Sequence, residues 1–334
     1  MNGRLMISLA GDTELLAEDK EALQQSAVGG VILFSRNYGG SRALRQLTAE
    51  IRRIANRPLL IATDHEGGRV QRFRGDDFTH VPAMAKIAAS AAPEISPATM
   101  ARAAGIVLAA ELLAHGVDMT FAPVLDLDYG VAEVIGDRAF SADANIVGEL
   151  ALKLKEGLKA AGMPCCGKHF PGHGFVVADS HLELPVDTRS LADLQTDMTP
   201  FRRCAAAGME MVMTAHIVYS AVDSQPATFS PRWLKDILRG ELNYQGLVVS
   251  DDLSMQGAVA FGDVSNRVSA AAAAGCDLLL LCQPQENSAA IQAMANINHS
   301  DAHWQQLRCI DTNRITVGDD SYHCARQQLS VLSD

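Results

Sequence analysis

The chain has 334 residues, of which 48% are hydrophobic and 20% charged, a composition typical of a globular protein with a large core. Its formal net charge of −11 excludes a nucleic-acid-binding protein of the kind that needs a clustered basic face. The seven cysteines include no Cys-x-x-Cys pair, which argues against a structural zinc site and favours buried thiols in a reducing compartment.

Short hydrophobic runs recur along the whole chain, and we predict eight strands from them: residues 5–10, 30–34, 59–63, 119–124, 163–167, 209–214, 247–250 and 277–282. Each run is continuous rather than alternating, which is typical of parallel strands covered on both faces. The first run indicates a strand rather than a signal peptide. The longest apolar region, residues 270–282, is interrupted by Gly275 and Asp277 and is too short to cross a bilayer. We therefore expect a cytoplasmic protein that does not associate with membranes.

Helix-like stretches lie between these runs. Residues 41–55 carry Leu44, Leu47, Ile51 and Ile54 at steps of three and four, which predicts a helix with one apolar stripe. Residues 142–161 and 190–206 show a similar period, and Ser190 is the expected N-cap of the second. Four glycines that come shortly before predicted strands indicate helix C-caps: Gly116, Gly162, Gly208 and Gly275.

The alternation of eight strands with helices predicts an α/β fold, a single (β/α)8 TIM-type barrel. We expect residues 1–334 to form one catalytic barrel domain, with a weakly patterned C-terminal tail after about residue 298. A doubly wound sheet is the alternative, but the Gly-x-Gly-x-x-Gly turn that favours it is missing after the first strand.

Polar side chains follow several of the predicted strands, and in a barrel these positions converge on one mouth. Charges placed there need partners or ligands, because an unpaired buried charge costs several kcal/mol or more. The side chains are Asp64, His65 and Glu66 after the third strand, Asp126 and Asp128 after the fourth, Lys168 and His169 after the fifth, His216 after the sixth, and Asp251 and Asp252 after the seventh.

A glycine-rich stretch, residues 167–174, is followed by Asp179 and His181, and together they indicate an active-site loop. Residues two apart in an extended loop face the same side. Asp179 could then accept the Nδ1 proton of His181 and leave Nε2 facing a substrate, so that the histidine both donates and accepts protons. The alternative is a surface turn with two unrelated polar residues.

Asp251 and Asp252 are adjacent, so strand alternation turns only one of them inward. An inward aspartate could act as a nucleophile, and a helix N-cap is the alternative for either residue. Arg72 and Arg138 are by default solvated surface arginines. An arginine fork also suits vicinal hydroxyls or a carboxylate, as in a sugar site.

Taken together, residues 64–72, 168–174, 179–181 and 237–254 resemble glycoside hydrolase family 3, and in particular its single-domain bacterial β-N-acetylglucosaminidases. The resemblance runs from about residue 5 to residue 281. It implies that Asp251 is the nucleophile, that His181 is the general acid/base, and that Asp179 orients His181. It also implies a set of residues that contact the N-acetylglucosamine: Asp64, Arg72, Arg138, Lys168 and His169.

The implied reaction is retaining hydrolysis of a terminal β-linked N-acetylglucosamine, with no metal or organic cofactor. The implied partner is a small-molecule sugar, a muropeptide with N-acetylglucosamine on 1,6-anhydro-N-acetylmuramic acid, met during cell-wall recycling. We expect a monomer.

Other activities remain open on the residues alone. A histidine acid/base tolerates phosphate, so the same site could perform phosphorolysis. A metal-dependent amidohydrolase barrel could use Lys168, His216 and Asp251, although the first strand lacks the His-x-His pair of that class. A Schiff-base aldolase could use Lys168. A non-catalytic sugar-binding protein would bind the sugar and cleave nothing.

Overall fold

The computed structural model describes residues 3–177, 184–297, 307 and 314–332. Within them each predicted hydrophobic run overlaps a strand of a barrel, which confirms the (β/α)8 TIM-type fold. The barrel strands, in chain order, are Leu5–Ser8, Val28–Leu33, Leu60–Thr63, Met119–Thr120, Cys166–Phe170, Met211–Thr214, Leu247–Val249 and Leu279–Leu281. That residues 1–334 form a single domain stays a prediction.

The barrel closes through parallel pairing alone. One ladder joins the eighth, first, second, third and fourth strands in that order, and another joins the fifth, sixth and seventh. Parallel bridges between Val124 and Lys168 and between Val249 and Leu278 connect the two ladders. Because all strands point the same way, their C-terminal ends form one rim, where side chains from distant parts of the sequence meet.

Helices surround the barrel: α1 Ala17–Gln24, α2 Ser41–Ala55, α3 Met84–Ala88, α4 Pro97–Ala114, α5 Ala144–Ala160, α6 Gln195–Ala206, α7 Gln256–Val259, α8 Val264–Ala274, α9 Asn287–Ala293 and α10 Asp320–Ser330, with a π-helical segment at Arg232–Glu241. Short strands outside the barrel are His65–Gly67 paired with Val70–Gln71, and Val186–Asp187 paired with Val218–Tyr219. A 3₁₀ turn covers Gly136–Arg138.

The predicted helices agree closely with the observed ones, and α2 has the predicted bounds. The helix predicted from residue 190 begins later, at Gln195. Ser190 and Asp193 instead exchange hydrogen bonds at 3.0 and 3.2 Å in the turn before it. The four glycines predicted as helix ends all have positive φ, between 65° and 127°.

Helix α4 is a core helix. Among the described helices it is the one long and apolar enough to span a membrane, with two thirds of it (67%) buried inside the protein. It crosses α5 at glycines: a Cβ on Gly105 would come within 2.2 Å of the Leu154 carbonyl oxygen, and one on Gly157 within 2.1 Å of the Arg102 carbonyl oxygen. This close approach fixes α4 to α5.

Helix α10 lies in the tail that the sequence left without a clear pattern. Its buried residues are Tyr322, Ala325 and Leu329, a stripe too narrow to stand out in the sequence. Tyr322 donates a hydrogen bond to Glu111 of α4 at 2.8 Å, so α10 packs on the barrel.

Candidate active site

A cavity of about 480 Å³ opens at the C-terminal rim of the barrel. Six of the eight predicted site residues line it: Asp64, Arg72, Arg138, Lys168, His169 and Asp251. The other two, Asp179 and His181, lie outside the described residues. The strand ends therefore bring together side chains that are up to 187 positions apart in the sequence, from Asp64 to Asp251.

Lys168 and His169 lie within the fifth strand, Cys166–Phe170, and not in a loop after it as the sequence predicted. Gly167 explains the error, because glycine usually indicates a turn. Here a Cβ would come within 2.6 Å of Leu125 Cδ1 and of Met209 Sδ. The glycine serves tight packing inside a strand, and Lys168 keeps its strand pairing with Val124.

Two carboxylates and three cations form a cluster at the cavity, in which Glu66, Lys168 and Arg138 are buried and Arg72 is partly exposed. Lys168 Nζ lies 2.8 Å from Asp64 Oδ1 and 2.6 Å from Glu66 Oε1. Arg138 donates two hydrogen bonds of 2.8 Å to Glu66, from Nε and Nη2. Arg72 reaches Asp64 at 3.4 Å. Sequence reasoning placed Glu66 at a strand end without a role, and the structure makes it the residue that joins Lys168 to Arg138.

The cluster keeps its charges. Burial alone would raise the pKa of Glu66, but Arg138 and Lys168 lower it to about 2. Lys168 and Arg72 likewise outweigh burial and lower the pKa of Asp64. Burial would lower the pKa of Lys168, and its two carboxylate partners, Asp64 and Glu66, raise it instead. A Schiff base needs a neutral amine, so this environment disfavours the aldolase alternative.

An aspartate–histidine pair occurs at His169. Its Nδ1 lies 2.7 Å from Asp126 Oδ2, and Asp126 Oδ1 accepts the backbone N–H groups of His169 and His173 at 3.2 and 2.7 Å. Burial would raise the pKa of Asp126, but His169 lowers it. The ionised carboxylate accepts the Nδ1 proton, which leaves Nε2 for the cavity. Sequence reasoning noted Asp126 at the end of the fourth strand and missed this partner.

His173 also lines the cavity, with its ring centroid 5.7 Å from that of His169. Burial lowers its pKa to about 4, so it is neutral at pH 7. Among the described residues, no group of three or more His, Cys, Asp or Glu side chains is arranged to hold a metal ion.

The structure distinguishes the two adjacent aspartates. Asp252 Oδ1 accepts the backbone N–H groups of Ser254 and Cys282, each at 2.9 Å, so this carboxylate ties the loop after the seventh strand to the end of the eighth. Both aspartates line the cavity, and Asp251 accepts the Asp252 N–H at 2.8 Å. The helix N-cap that the sequence left open for either aspartate is wrong, because the next helix, α7, has Met255 as its N-cap. Asp252 instead anchors the loop.

The remaining lining is largely apolar and includes Ile32, Phe34, Val134, Ile135, Met213, Met255 and Leu280. Fixed donors and acceptors on one side and apolar side chains elsewhere suit a ligand with several hydroxyl groups and an apolar face. A sugar has both.

The chain is similar to several known proteins. A Beta-hexosaminidase of Bordetella avium is 52% identical over 84% of this chain and 80% of its own. One of Bordetella pertussis is 49% identical over 99% of this chain and 96% of its own. The crystal structure of NagZ from Neisseria gonorrhoeae in complex with N-trifluoroacetyl-D-glucosamine superposes with a TM-score of 0.89 at 39% identity, covering 100% of this chain and 98% of that one.

The family model for the Glycosyl hydrolase family 3 N terminal domain matches residues 5–308, which include the whole barrel. Since the match covers most of the sequence, the chain is a glycoside hydrolase and belongs to glycosyl hydrolase family 3.

Proposed function

We propose that the protein is a retaining exo-β-N-acetylglucosaminidase. The observation that carries this proposal is the cavity lined by Asp251, Asp64, Arg138 and Lys168, in which Glu66 pairs with Arg138 and Lys168. The similar proteins add support, because the Bordetella relatives are named Beta-hexosaminidase and the Neisseria structure contains an N-acylated glucosamine.

In the proposed reaction, Asp251 attacks the anomeric carbon and the bond to the leaving oxygen breaks. His181, oriented by Asp179, gives its proton to that oxygen, and a covalent glycosyl-aspartate results. His181 then takes a proton from water, which attacks the same carbon and releases N-acetylglucosamine and Asp251. A neutral imidazole in this role avoids a second negative charge beside the nucleophile.

The charged cluster would bind the sugar before the reaction starts. Lys168 and Arg138 offer N–H donors and Asp64 offers an acceptor. Their mutual ion pairs hold these groups in place without ligand, so binding of the sugar costs little side-chain conformational entropy. Correct positioning can lower a barrier by about 7–11 kcal/mol. His169, fixed through Nδ1 by Asp126, would present Nε2 to a hydroxyl group.

The proposed physiological substrate is a muropeptide with terminal N-acetylglucosamine on 1,6-anhydro-N-acetylmuramic acid, encountered in the cytoplasm during cell-wall recycling. We also propose that the protein acts as a monomer. The activity implied by the relatives supports the sugar, and the acidic composition with seven cysteines supports a reducing compartment.

Trapping of the intermediate tests the function. A 5-fluoro-N-acetylglucosaminyl fluoride should inactivate the enzyme slowly, and peptide mapping should find the sugar on Asp251. A label on a residue other than Asp251 overturns the assignment. So does the absence of any label in an enzyme that still releases nitrophenol from a nitrophenyl β-N-acetylglucosaminide. The same assay with added phosphate separates the reactions: hydrolysis gives free N-acetylglucosamine, whereas phosphorolysis gives its 1-phosphate.

A further inference from the structure

One wall of the cavity is a loop with only a small core of its own. This wall loop, residues 131–139, contributes Val134, Ile135 and Arg138 to the cavity lining. Its Ala132, Ile135 and Ala139 form a hydrophobic cluster separate from the main core of the barrel. Apolar packing with the barrel therefore does little to hold this wall in place, and polar contacts have to supply the attachment.

Arg69 supplies one such attachment. It lies at the turn of the hairpin formed by His65–Gly67 and Val70–Gln71, itself lines the cavity, and contacts the wall loop directly. Its Nη2 donates to three successive carbonyl oxygens of that loop, those of Glu133, Val134 and Ile135, at 2.8, 2.9 and 3.2 Å. Its Nε donates to Asp137 Oδ1 at 3.0 Å. One guanidinium thus donates to four acceptors within residues 133–137. Hydrogen bonds from a charged donor are stronger than those between neutral groups.

The same carbonyl connects Arg69 to Arg138. Val134 O accepts from Arg69 at 2.9 Å and from Arg138 Nη1 at 2.8 Å. Arg138 in turn binds Glu66, which belongs to the same hairpin as Arg69. Two arginines therefore connect the wall loop to the hairpin: Arg69 of the hairpin donates to the loop, and Arg138 of the loop donates to Glu66 of the hairpin.

We infer that Arg69 is a positioning residue, which holds the wall loop and through it sets the orientation of Arg138 toward the sugar. This rests on the proposed function, because it concerns the same site. Without the guanidinium, the carbonyls of residues 133–135 would turn to water and the loop would move relative to Glu66. Arg138 would keep its charge and lose its fixed orientation. Displacements of about 1 Å can cost a factor of about 100 in rate.

The test uses Arg69→Ala with Arg52→Ala as a matched control. Arg52 is a similarly exposed arginine that also bridges a carbonyl and a carboxylate, those of Gly116 and Asp118, each at 2.8 Å, and it does not line the cavity. We expect R69A to lower kcat/KM for an aryl β-N-acetylglucosaminide by about 10- to 100-fold, chiefly through a higher KM. Both variants should lose similar, small amounts of thermal stability, and added guanidinium ion should restore activity to R69A alone.

Hydrogen–deuterium exchange separates this inference from the proposed function. Amides of residues 131–139 should exchange faster in R69A than in the wild type, and should be unchanged in R52A. Unchanged exchange in R69A, or a loss of activity no larger than that of R52A, overturns the positioning role. If the wild type cleaves no N-acetylglucosaminide, the proposed function is overturned. Faster exchange of residues 131–139 in R69A would then still support the attachment of the wall loop by Arg69.

Discussion

Glu66 and Arg138 form a two-pronged ion pair in which both hydrogen bonds measure 2.8 Å. The carboxylate follows the third barrel strand and the guanidinium lies on the wall loop after the fourth, so the pair bridges two neighbouring barrel loops at the cavity. Both side chains are at least nine-tenths buried. Removing one member of a buried pair leaves the other charge without compensation, which is costly.

The first prediction is that Glu66→Gln lowers kcat/KM in addition to destabilising the fold. Glutamine keeps the shape of glutamate and loses its charge, so Arg138 loses one acceptor and Lys168 loses one of its two anionic partners. We expect kcat/KM to fall by about two orders of magnitude, equivalent to about 2.7 kcal/mol.

Glu111→Gln is the matched control, since Glu111 is also buried, at 1% exposure, and does not line the cavity. It should lower the melting temperature and leave kcat/KM within about twofold below the transition. Equal kinetics in the two variants would contradict a special contribution from Glu66.

The second prediction separates the adjacent aspartates. Asp251→Ala removes the proposed nucleophile and should lower kcat by about three orders of magnitude or more. Azide should partly rescue it by attacking the anomeric carbon of an activated substrate, with formation of the α-glycosyl azide. Asp252→Ala leaves the Ser254 N–H without its acceptor and the Cys282 N–H with Ser254 Oγ at 3.2 Å, and an unsatisfied buried group costs about 1–3 kcal/mol.

Asp252→Ala should therefore lower thermal stability, lose much less activity than Asp251→Ala, and show no azide product. Comparable losses of activity in the two variants, or azide products from both, would show that the nucleophile has been assigned wrongly.

The architecture could be predicted because parallel strands covered on both faces leave continuous apolar runs. Each predicted run overlaps an observed strand, and the side chains at the strand ends follow directly from that order. The predicted fifth run, residues 163–167, ends three residues before the observed strand, Cys166–Phe170, because the glycine-rich stretch that starts at Gly167 indicates a loop. A local pattern does not reveal that a glycine is needed for close packing with Leu125 and Met209.

The partners within the site could not be predicted in the same way. The pairing of Asp126 with His169 depends on the register in which Val124 faces Lys168. The pairing of Glu66 with Arg138 depends on the path of the wall loop, and periodicity encodes neither. The roles of Asp179 and His181 stay predictions from the family resemblance.

The third prediction concerns acid stability and His65. This side chain is fully buried at 0% exposure, packs against Phe73 and Phe78 with centroids 5.6 and 5.5 Å away, and neither ring nitrogen has a hydrogen-bond partner among the described residues. Burial lowers its pKa to about 3. Below pH 6.5 the unfolded chain binds a proton that the folded state does not bind, so stability falls as the pH drops from 6.5 toward 3.

A histidine contributes about 1.4 kcal/mol per pH unit well below pH 6.5 and about half of that at pH 6.5, where the unfolded side chain is half protonated. His65 should therefore account for about 1.6 kcal/mol of the loss between pH 6.5 and 5. His65→Leu should reduce the difference between urea denaturation free energies measured at those two pH values by that amount. His323→Leu, at an exposed position on α10, should leave the difference unchanged. A wild-type pH dependence in H65L would show that His65 takes up its proton without unfolding.

The last prediction concerns the attachment of α10, which lies outside the residues matched by the family model. Tyr322 donates to Glu111 Oε1 at 2.8 Å, and Glu111 Oε2 accepts the Thr79 N–H at 2.9 Å. Tyr322→Phe keeps the packed ring and removes one donor from a buried carboxylate, so the free energy of unfolding should fall by about 1.5–3 kcal/mol.

Ser330→Ala is the matched control: it removes an exposed hydrogen bond from the same helix and should change the free energy of unfolding by less than about 0.5 kcal/mol. Because Tyr322 does not line the cavity, kcat/KM should be unchanged below the transition, and equal stability of the two variants would show that the hydroxyl does not hold the helix.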